Sequence, residues 1–245
     1  MKKSLFILYA VLCYGIFFVT FLYAIGFMGN LFVPKSLDSG VGALSFNAIV
    51  VNLALLTVFA LQHSVMARPK FKAWLTQFVP QPIERSTYVL FTSLALILLF
   101  WQWQPMTEVI WSVEHPLGAM VLQGLYVFGF LIVLLSTFMI NHFDLFGLKQ
   151  VYDHWKGHTP LATKFTTRYL YAFVRHPITL GFLISLWATP IMTIGHLLFS
   201  VATTTYIIIA VKYFEERDLR NSLGQAYEAY QKKVPMLIPL PGRKA

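Results

Sequence analysis

The chain has 245 residues, of which 57% are hydrophobic and 12% charged, with a formal net charge of +9 at pH 7. Ordinary soluble domains carry about 25% charged residues, so this composition excludes that class. The basic residues lie between apolar segments, where they suit loops beside anionic lipid better than a nucleic-acid surface. The single cysteine, Cys13, excludes an internal disulfide and a metal site built from several cysteines.

Five long uncharged segments follow one another along the chain. They run from Ser4 to the residue before Lys35, from Ser39 to Ala67, from Ser86 to Thr107, from His115 to Phe143 and from His176 to Val211. A transmembrane helix needs about 20 mostly apolar residues, so each segment is long enough to cross a bilayer. The sequence therefore predicts an all-α polytopic membrane protein, with residues 1–245 forming a single domain.

The last uncharged segment is too long for one ordinary span. As one helix it would extend about 54 Å, at roughly 1.5 Å per residue, whereas the hydrocarbon core is about 30 Å thick. Pro190 and Gly195 interrupt it, and both residue types break helices. We therefore predict four full transmembrane helices followed by a hairpin of two short helices, 178–192 and 196–213.

The tail continues beyond this hairpin with apolar side chains at helical spacing. They are Leu219, Leu223, Ala226, Tyr227 and Tyr230. This stripe predicts an amphipathic helix that Pro235 ends. With four spans and a hairpin both termini share one side, which then carries every basic residue except Lys35. Because basic loops stay in the cytoplasm, we predict an N-in, C-in topology and a cytoplasmic tail helix.

Charged groups mark both ends of the predicted hairpin. Proline favours the first helical position, so a helix is expected to begin at Pro177 with an anion-binding N-terminus, beside the carboxylate donor Arg175. Glu216 follows the last membrane segment, where an unpaired carboxylate is costly. The hairpin would return Glu216 towards Arg175 and His176, and together they could hold a zwitterionic cofactor. The alternatives are a basic membrane anchor and ordinary helix-surface pairs of Glu216.

Motifs in both halves resemble known families. The C-terminal half resembles isoprenylcysteine carboxyl methyltransferases and related membrane methyltransferases through Arg175-His176-Pro177, Gly181, Glu215-Glu216, Leu219, Gly224, Tyr227, Tyr230 and Pro239. The N-terminal half is similar to bacterial methanethiol S-methyltransferases at 61–64, 84–88, 100–103 and 141–148, so the resemblance covers nearly the whole chain. It implies S-adenosylmethionine as cofactor, a small thiol as substrate and dimethyl sulfide as product.

The resemblance also implies where the cofactor would bind, in a C-terminal part of about 165–240. The matching residues are Arg175, His176, Pro177, Gly181, Glu216 and Leu219. We expect Arg175 and the helix start to hold the methionine carboxylate, and Glu216 to hold the ribose hydroxyls or the amino group. The chain has no Gly-x-Gly-x-x-Gly fingerprint, which excludes a Rossmann-type methyltransferase. The location implied is the inner membrane of a bacterium, with the active site facing the cytoplasm.

Methyl transfer to sulfur needs a thiolate. A free cysteine thiol has a pKa of about 8.5 and a simple alkanethiol is less acidic, so a base is expected to help at neutral pH. The candidates are His63 and His142, with Asp144 beside His142, and Arg68 could stabilise the thiolate. An Asp144–His142 pair requires the helix to end there, because residues two apart do not share a helix face. Packing histidines are the alternative.

Three other functions compete with this interpretation. His63 and His142 at matching depth on two helices could ligate a haem. The same cofactor site could serve a lipid or prenyl-cysteine acceptor, or the chain could be a membrane scaffold without catalytic activity. No metal site, nucleic acid or obligatory protein partner is expected.

Overall fold

The structure is a computed structural model that describes residues 2–158 and 165–239. Lys164, Arg243 and Lys244, which the topology prediction places on the cytoplasmic side, lie outside the described residues. Position 240, the predicted end of the cofactor-binding part, also lies outside them. In chain order the helices and strands are α1 Lys2–Gly29, α2 Phe46–Met66, α3 Pro69–Leu75, α4 Glu84–Gln102, β1 Val109–Ser112, α5 Pro116–Ile140, α6 His142–Leu145, α7 Leu148–Lys156, α8 Pro177–Trp187, β2 Ile191–Thr193, α9 Ile194–Ile209, α10 Glu216–Leu223 and α11 Gln225–Lys233.

Five described helices are long and apolar enough to cross a membrane. They are Lys3–Gly29, Phe46–Met66, Gln81–Gln102, Pro116–Ile140 and Ile194–Leu223. Their outer faces are apolar, with Val19 of α1 66% exposed and Met120 of α5 equally exposed. Large exposed apolar surfaces of this kind mark contact with lipid rather than with water. The prediction of a polytopic helical membrane protein is confirmed.

The predicted break in the last apolar segment is confirmed, but the two helices differ in length. α8 ends at Trp187 and α9 begins at Ile194, so Gly195 lies inside the new helix and not at the break. Only α8 is short. α9 continues through a π-helical segment, Ala210–Glu215, into α10, which makes the 30-residue helix Ile194–Leu223. Between α8 and α9 lies β2, which pairs with β1; the all-α prediction missed these two short strands.

The chain divides into two compact units. The first contains the described residues up to Glu108, those from Asn141 to position 158, and Thr193–His196. The second contains Val109–Ile140, the residues from position 165 to Met192, and those from Leu197 to position 239. Each has its own packing.

In the first unit, α4 packs against α1 and α2. The Tyr9 and Thr87 hydroxyls join α1 to α4 at 3.0 Å, and the fully buried Asn52 of α2 donates to Gln104 O at 2.7 Å. The turn before α7 is pinned to α4 at Gly147, whose φ is +89° and where a Cβ would meet Ser86 N at 2.7 Å. Only glycine fits there. This fixes the short helix α6, which carries His142.

In the second unit, α5 and α8 cross at two glycines. A Cβ at Gly181 would meet Gly129 O at 2.5 Å and Val133 N at 3.0 Å. The Ser185 hydroxyl, one turn along α8, donates to Tyr126 O at 2.9 Å. Small residues allow this close backbone approach, as is usual between membrane helices.

Candidate active site

A buried charge cluster lies in the second unit at the start of α8. Arg175 Nε donates to Glu216 Oε1 at 2.8 Å, and His176 Nε2 donates to the same oxygen at 2.7 Å. The three side chains are buried, with 11%, 4% and 5% of their surfaces exposed. The predicted approach of Glu216 to Arg175 and His176 is therefore confirmed.

The tail supplies two further donors to Glu216. The Tyr227 hydroxyl donates to Oε1 at 3.0 Å, and the Gln231 side-chain amide donates to Oε2. Both residues lie on α11, one helical turn apart, so they present their polar ends to the same carboxylate. Oε1 thus accepts three described hydrogen bonds and Oε2 accepts one, which leaves acceptor capacity on Oε2.

The backbone after α11 closes on the same residues. Arg175 N donates to Pro235 O at 2.9 Å and His176 N donates to Met236 O at 3.2 Å. The Arg175 guanidinium also donates through Nη1 to Val234 O at 2.5 Å. These bonds fasten the tail beside the charge cluster and hold Arg175 in one orientation.

The tail stripe packs as predicted, but not on one helix. Tyr227, Tyr230 and Val234 form a buried cluster against which Leu219 and Leu223 pack. Gly224, with φ +55°, separates α10 from α11. The prediction of a single amphipathic helix in the tail is therefore wrong, because Gly224 with its positive φ ends α10. The turn brings Tyr227 and Gln231 back towards Glu216 at the start of α10.

Charge and burial act against each other at His176. Burial alone lowers the pKa of His176, but hydrogen bonds to Glu215 and Glu216 raise its pKa to about 9. The imidazole is therefore positively charged at neutral pH. Burial, together with the neighbouring Glu216, raises the pKa of Tyr227 well above its ordinary value, so this hydroxyl stays a donor.

The first turn of α8 offers backbone donors beside this cluster. Pro177 occupies its first position, as predicted, and His176 precedes it without a side-chain cap. Among the described residues, the N–H groups of Ile178 and Thr179 have no hydrogen-bond partner. Unsatisfied N–H groups at a helix N-terminus attract anions.

Two residues assigned to the cofactor have structural explanations. Gly181 is buried at the crossing of α5 and α8, where a side chain has no room. Leu219 packs on the tyrosines of the tail. Their assignment to cofactor binding stays a prediction.

The first unit contains the candidate bases. His142 is 7% exposed, and its Nε2 lies 2.8 Å from the hydroxyl of Tyr14 on α1. Burial lowers the pKa of His142, so the imidazole is neutral at neutral pH. Asn141, with φ +91°, ends α5 before His142, and its side chain caps α6. The helix thus ends where the predicted Asp144–His142 pair required.

The described hydrogen bonds of Asp144 nevertheless join it to Gln150 and Asn141. The Gln150 amide donates to Asp144 Oδ1 at 3.0 Å and to Asp144 O at 2.9 Å. Asp144 N donates to Asn141 Oδ1 at 3.3 Å. These bonds brace the turn between α6 and α7, and the role of Asp144 in catalysis stays a prediction.

His63 and Arg68 also have close partners in the first unit. The Tyr88 hydroxyl lies 3.0 Å from His63 Nδ1 and 3.1 Å from Nε2. Arg68 Nε donates to Ser64 O at 3.0 Å, which caps the last turn of α2. A catalytic role for either residue stays a prediction.

The aromatic residues of the motif segments 100–103 and 141–148 pack against different partners. Phe146 lies 4.7 Å from the His142 ring and 4.1 Å from the Phe17 ring, measured between centroids. Phe100 packs instead on Phe27, and the Trp103 indole donates to Leu37 O. We call Tyr14, Phe17, His142, Phe143 and Phe146 the aromatic cluster.

Three polar partners escaped sequence reasoning. Tyr14 lies in the long uncharged part of α1, where nothing distinguishes it from the other tyrosines Tyr9 and Tyr23. Tyr227 is recognisable in the sequence as part of an apolar stripe but not as a donor to Glu216. Gln231 lies four residues after Tyr227, and this spacing is the one signal that could have placed it beside the same partner.

Comparison with known proteins agrees with the resemblance of the motifs. The NnrU protein family model matches residues 51–238. A methanethiol S-methyltransferase of Mycobacterium tuberculosis is 54% identical over 243 residues, 99% of each chain. One of Crocosphaera subtropica is 50% identical over 247 residues, covering 100% of this chain and 96% of that protein. Pig nurim is 32% identical over 216 residues, 83% of this chain and 80% of that protein. No solved structure gives a significant match.

The fold and the charge cluster define a polytopic membrane protein with a buried ionic site in its C-terminal part. The chain belongs to the NnrU protein family. Its resemblance to methanethiol S-methyltransferases, inferred from motifs, is confirmed by relatives 48–54% identical over most of the chain.

Proposed function

We propose that this protein transfers a methyl group from S-adenosylmethionine to methanethiol and releases dimethyl sulfide. One observation carries the proposal: relatives that match 99–100% of the chain are named methanethiol S-methyltransferases. The aromatic cluster around a neutral histidine agrees with a small apolar acceptor, since such a site needs neither a lipid groove nor a peptide-binding surface.

The charge cluster fits the zwitterionic end of the cofactor. Arg175 and the N–H groups of Ile178 and Thr179 offer positive potential to a carboxylate. Oε2 of Glu216 keeps capacity for one more donor, from an ammonium group or a ribose hydroxyl. When bound, S-adenosylmethionine supplies an electrophilic methyl group on a sulfonium. In this proposal Tyr227, Gln231 and His176 hold the Glu216 carboxylate in place.

The aromatic cluster fits the acceptor. Because an alkanethiol is nearly all protonated at neutral pH, a base near the sulfur contributes roughly 10²–10⁴-fold. We propose His142 as that base, since burial keeps it neutral. A dry apolar site adds alignment of the reacting atoms. Asp144 would support the turn that carries His142, through its bonds to Gln150 and Asn141.

We further propose an N-in, C-in orientation in a bacterial inner membrane. The basic residues support it, since the predicted topology leaves only Lys35 on the outer side. Labelling of single cysteines introduced at Lys35 and at Lys156, in intact cells, tests the orientation. We expect an impermeant thiol reagent to reach position 35 and not position 156.

A headspace assay tests the reaction. Purified protein in detergent receives S-adenosylmethionine and methanethiol, and evolved dimethyl sulfide is measured for the wild type, Glu216→Ala and the neighbouring Glu215→Ala. We expect product from the wild type, none from Glu216→Ala and a smaller loss for Glu215→Ala, whose side chain is 52% exposed. No product despite cofactor binding would move the acceptor to lipid or prenyl thiols. No cofactor binding together with a haem absorption band would overturn the proposal.

A further inference from the structure

Arg85, in the first turn of α4, places a permanent positive charge at the edge of the aromatic cluster. Its Nε donates to Leu145 O at 2.7 Å, at the end of α6. The guanidinium carbon lies 4.8 Å from the centre of the Tyr88 ring, and Tyr88 belongs to a buried cluster on which Phe17 and Phe146 pack. We propose that Arg85 binds the sulfur of the acceptor thiol and stabilises it as a thiolate. This inference rests on the proposed function.

The backbone and the side chain of Arg85 are both held against the turn between α6 and α7. A Cβ at Gly147 would lie 3.1 Å from the Arg85 carbonyl carbon, so the two segments are in contact. The bond from Nε and the face of the Tyr88 ring hold the plane of the guanidinium. Because the guanidinium is a rigid fork, its two Nη groups then point in a defined direction. Arg85 thus stays close to the short helix that carries His142.

The charge of Arg85 has no counter-charge within the described part of the chain. Its described contacts there are the two just given, so neither Nη group has a hydrogen-bond partner among those residues. In the same part of the chain the neighbouring Glu84 forms no ion pair with it, and Glu84 Oε1 is buried without a hydrogen-bond partner. Arg175 of the second unit differs, since Glu216 compensates its charge at 2.8 Å. The Arg85 guanidinium is therefore available to an anion from outside the chain.

A thiolate is the anion that the proposed reaction requires beside the aromatic cluster. Moving an anion from water into an apolar site is costly unless an opposite charge accompanies it, and aromatic rings carry none. A guanidinium is less strongly hydrated than an ammonium group, which suits a partly apolar site. An opposite charge at about 4–6 Å lowers the pKa of an acid by about 1–3 units. Arg85 would therefore raise the ionised fraction of a bound alkanethiol at neutral pH.

The reaction step balances with Arg85 beside the sulfur. The S–H proton passes to the base of the proposed function, and the thiolate electron pair forms the new bond to the methyl carbon. The electron pair of the broken methyl–sulfonium bond stays on the departing sulfur. Arg85 keeps its proton throughout, because a guanidinium does not titrate in proteins. The product sulfide is neutral, so Arg85 holds it less strongly than the thiolate, and nothing is oxidised or reduced.

Other titratable and charged groups lie on α4 and on the elements around its start. They are Glu84 and Tyr88 on α4; Tyr9, Cys13 and Tyr14 on α1; His63 and Arg68 on or next to α2; Lys70 and Lys72 on α3; His142 and Asp144 on α6; and Lys149, Tyr152, Asp153 and His154 on α7. Among them His142 matters most, because the proposed reaction needs it neutral and a nearby cation affects its titration. The test therefore includes a background without His142.

The test is the pH dependence of dimethyl sulfide formation by Arg85→Gln, from pH 6.5 to 9.5. Each unit of lowered thiol pKa raises the thiolate fraction tenfold but costs about threefold in nucleophilicity, as in thiol–disulfide exchange. A shift of about 1–3 units therefore predicts that Arg85→Gln loses about three- to thirtyfold near pH 7. The loss should shrink towards pH 9.5, because the thiol then ionises without help. Affinity for S-adenosylmethionine should stay that of the wild type.

Two control variants separate the charge of Arg85 from its support of the turn. Arg85→Lys keeps the charge, so its pH profile should keep the wild-type position although its rate is lower. Ser86 is fully buried and its hydroxyl donates to Gly147 O at 3.3 Å, so it fastens the same turn without a charge. Ser86→Ala should therefore keep a constant ratio to the wild type at every pH. If Arg85→Gln does not fold, the position of the Arg85→Lys profile decides alone.

The double variant Arg85→Gln with His142→Gln separates an effect on the sulfur from an effect on the histidine. When Arg85 acts on the sulfur, its removal lowers the rate of His142→Gln further, again most strongly near pH 7. A loss that disappears in the His142→Gln background would mean that Arg85 acts through the histidine, and would overturn the inference.

Three other results would overturn it. A loss of the same size at every pH, shared by Arg85→Gln and Arg85→Lys, would show a merely structural role. A loss that appears only when anionic phospholipid is added to the detergent would assign the guanidinium to a lipid headgroup. Wild-type protein that forms no dimethyl sulfide at any pH would defeat the proposed function and this inference with it, whereas product from the wild type with an unshifted Arg85→Gln profile would defeat the inference alone.

Discussion

The two units build their candidate sites by different means. The second unit gathers Arg175, His176 and Glu216 in a buried cluster, and the tail adds Tyr227 and Gln231 as donors to the same carboxylate. The first unit surrounds His142 with aromatic rings and places the neutral Tyr14 hydroxyl 2.8 Å from its Nε2. The difference matches the two chemistries of the proposed reaction: a zwitterion is recognised by fixed charges, whereas a small thiol needs an apolar site and a neutral base.

The contrast also sets the size of the expected effects. Removing Glu216 from the charge cluster leaves the buried positive charges of Arg175 and His176 without their carboxylate, which is costly. Removing the Tyr14 hydroxyl from the aromatic cluster leaves only neutral groups. Variants of the second unit should therefore lose stability and cofactor binding, and variants of the aromatic cluster should lose catalytic rate.

The largest effect is expected for Glu216→Ala, which strands Arg175 and the charged His176. Breaking a buried pair of this kind costs about 3–5 kcal/mol. Glu215→Ala removes the neighbouring carboxylate, 52% exposed, and exposed pairs contribute about 0–1 kcal/mol. Thermal unfolding in detergent compares the two. Similar melting temperatures for both variants would show that the cluster is not the main ionic support of its unit.

The charge on His176 makes stability depend on pH. Hydrogen bonds to Glu215 and Glu216 raise its pKa in the folded protein to about 9, above its ordinary value of 6.5. The contribution to stability is therefore complete below pH 6.5 and disappears as the pH rises through 9. It amounts to on the order of 3 kcal/mol at 1.36 kcal/mol per pKa unit. The wild type should melt progressively lower between pH 6.5 and 9, and His176→Asn should show a flatter profile; parallel curves would contradict the charged state.

The two glycines at the crossing of α5 and α8 allow a packing test. Gly181→Ala should destabilise by about 1–3 kcal/mol, because its Cβ meets backbone atoms of α5. Gly124→Ala, where the added Cβ meets nothing within 4 Å, should gain up to about 1 kcal/mol from helix propensity. Cofactor titration of the folded fraction completes the test. A weaker cofactor affinity of Gly181→Ala without loss of stability would return Gly181 to the cofactor site.

The smallest effect separates the two buried tail tyrosines. Tyr227→Phe loses a bond to a carboxylate and Tyr230→Phe loses one to Tyr171 O. Hydrogen bonds to charged groups contribute about 1.5–3 kcal/mol and neutral ones about 0.5–1.5 kcal/mol. Cofactor titration should therefore show a clear loss for Tyr227→Phe only, while both variants melt lower. Equal affinities would mean that Tyr227 does not hold Glu216 in its binding position.

Much of this architecture was predictable because charge and hydropathy decide which segments enter a membrane. Pro190 and the length of the last apolar segment predicted the break between α8 and α9, and the break predicted that Glu216 approaches Arg175. The π-helical segment before Glu216 was not predictable, since it depends on packing rather than on a residue pattern. Gly224 is visible in the sequence, but the prediction of one tail helix did not include it as a helix end.

The candidate site in the first unit was less predictable. His142 and Asp144 follow a helix end that Asn141 produces with its positive φ. The sequence showed only that an Asp144–His142 pair would require the helix to end there. Tyr14 comes from more than a hundred residues earlier in an apolar helix. Its contact with His142 depends on the rotation of α1 against the segment after α5, and hydropathy carries no information about helix rotation when all faces are apolar.

The most direct test is whether the second unit binds the cofactor while His142 of the first unit serves catalysis. Cofactor binding by Glu216→Gln and His142→Gln is measured by calorimetry without thiol, and the dimethyl sulfide assay follows. We expect Glu216→Gln to lose S-adenosylmethionine affinity. His142→Gln should bind the cofactor like the wild type but form product at least tenfold more slowly at neutral pH. Loss of cofactor affinity in His142→Gln, or full affinity in Glu216→Gln, would contradict this assignment.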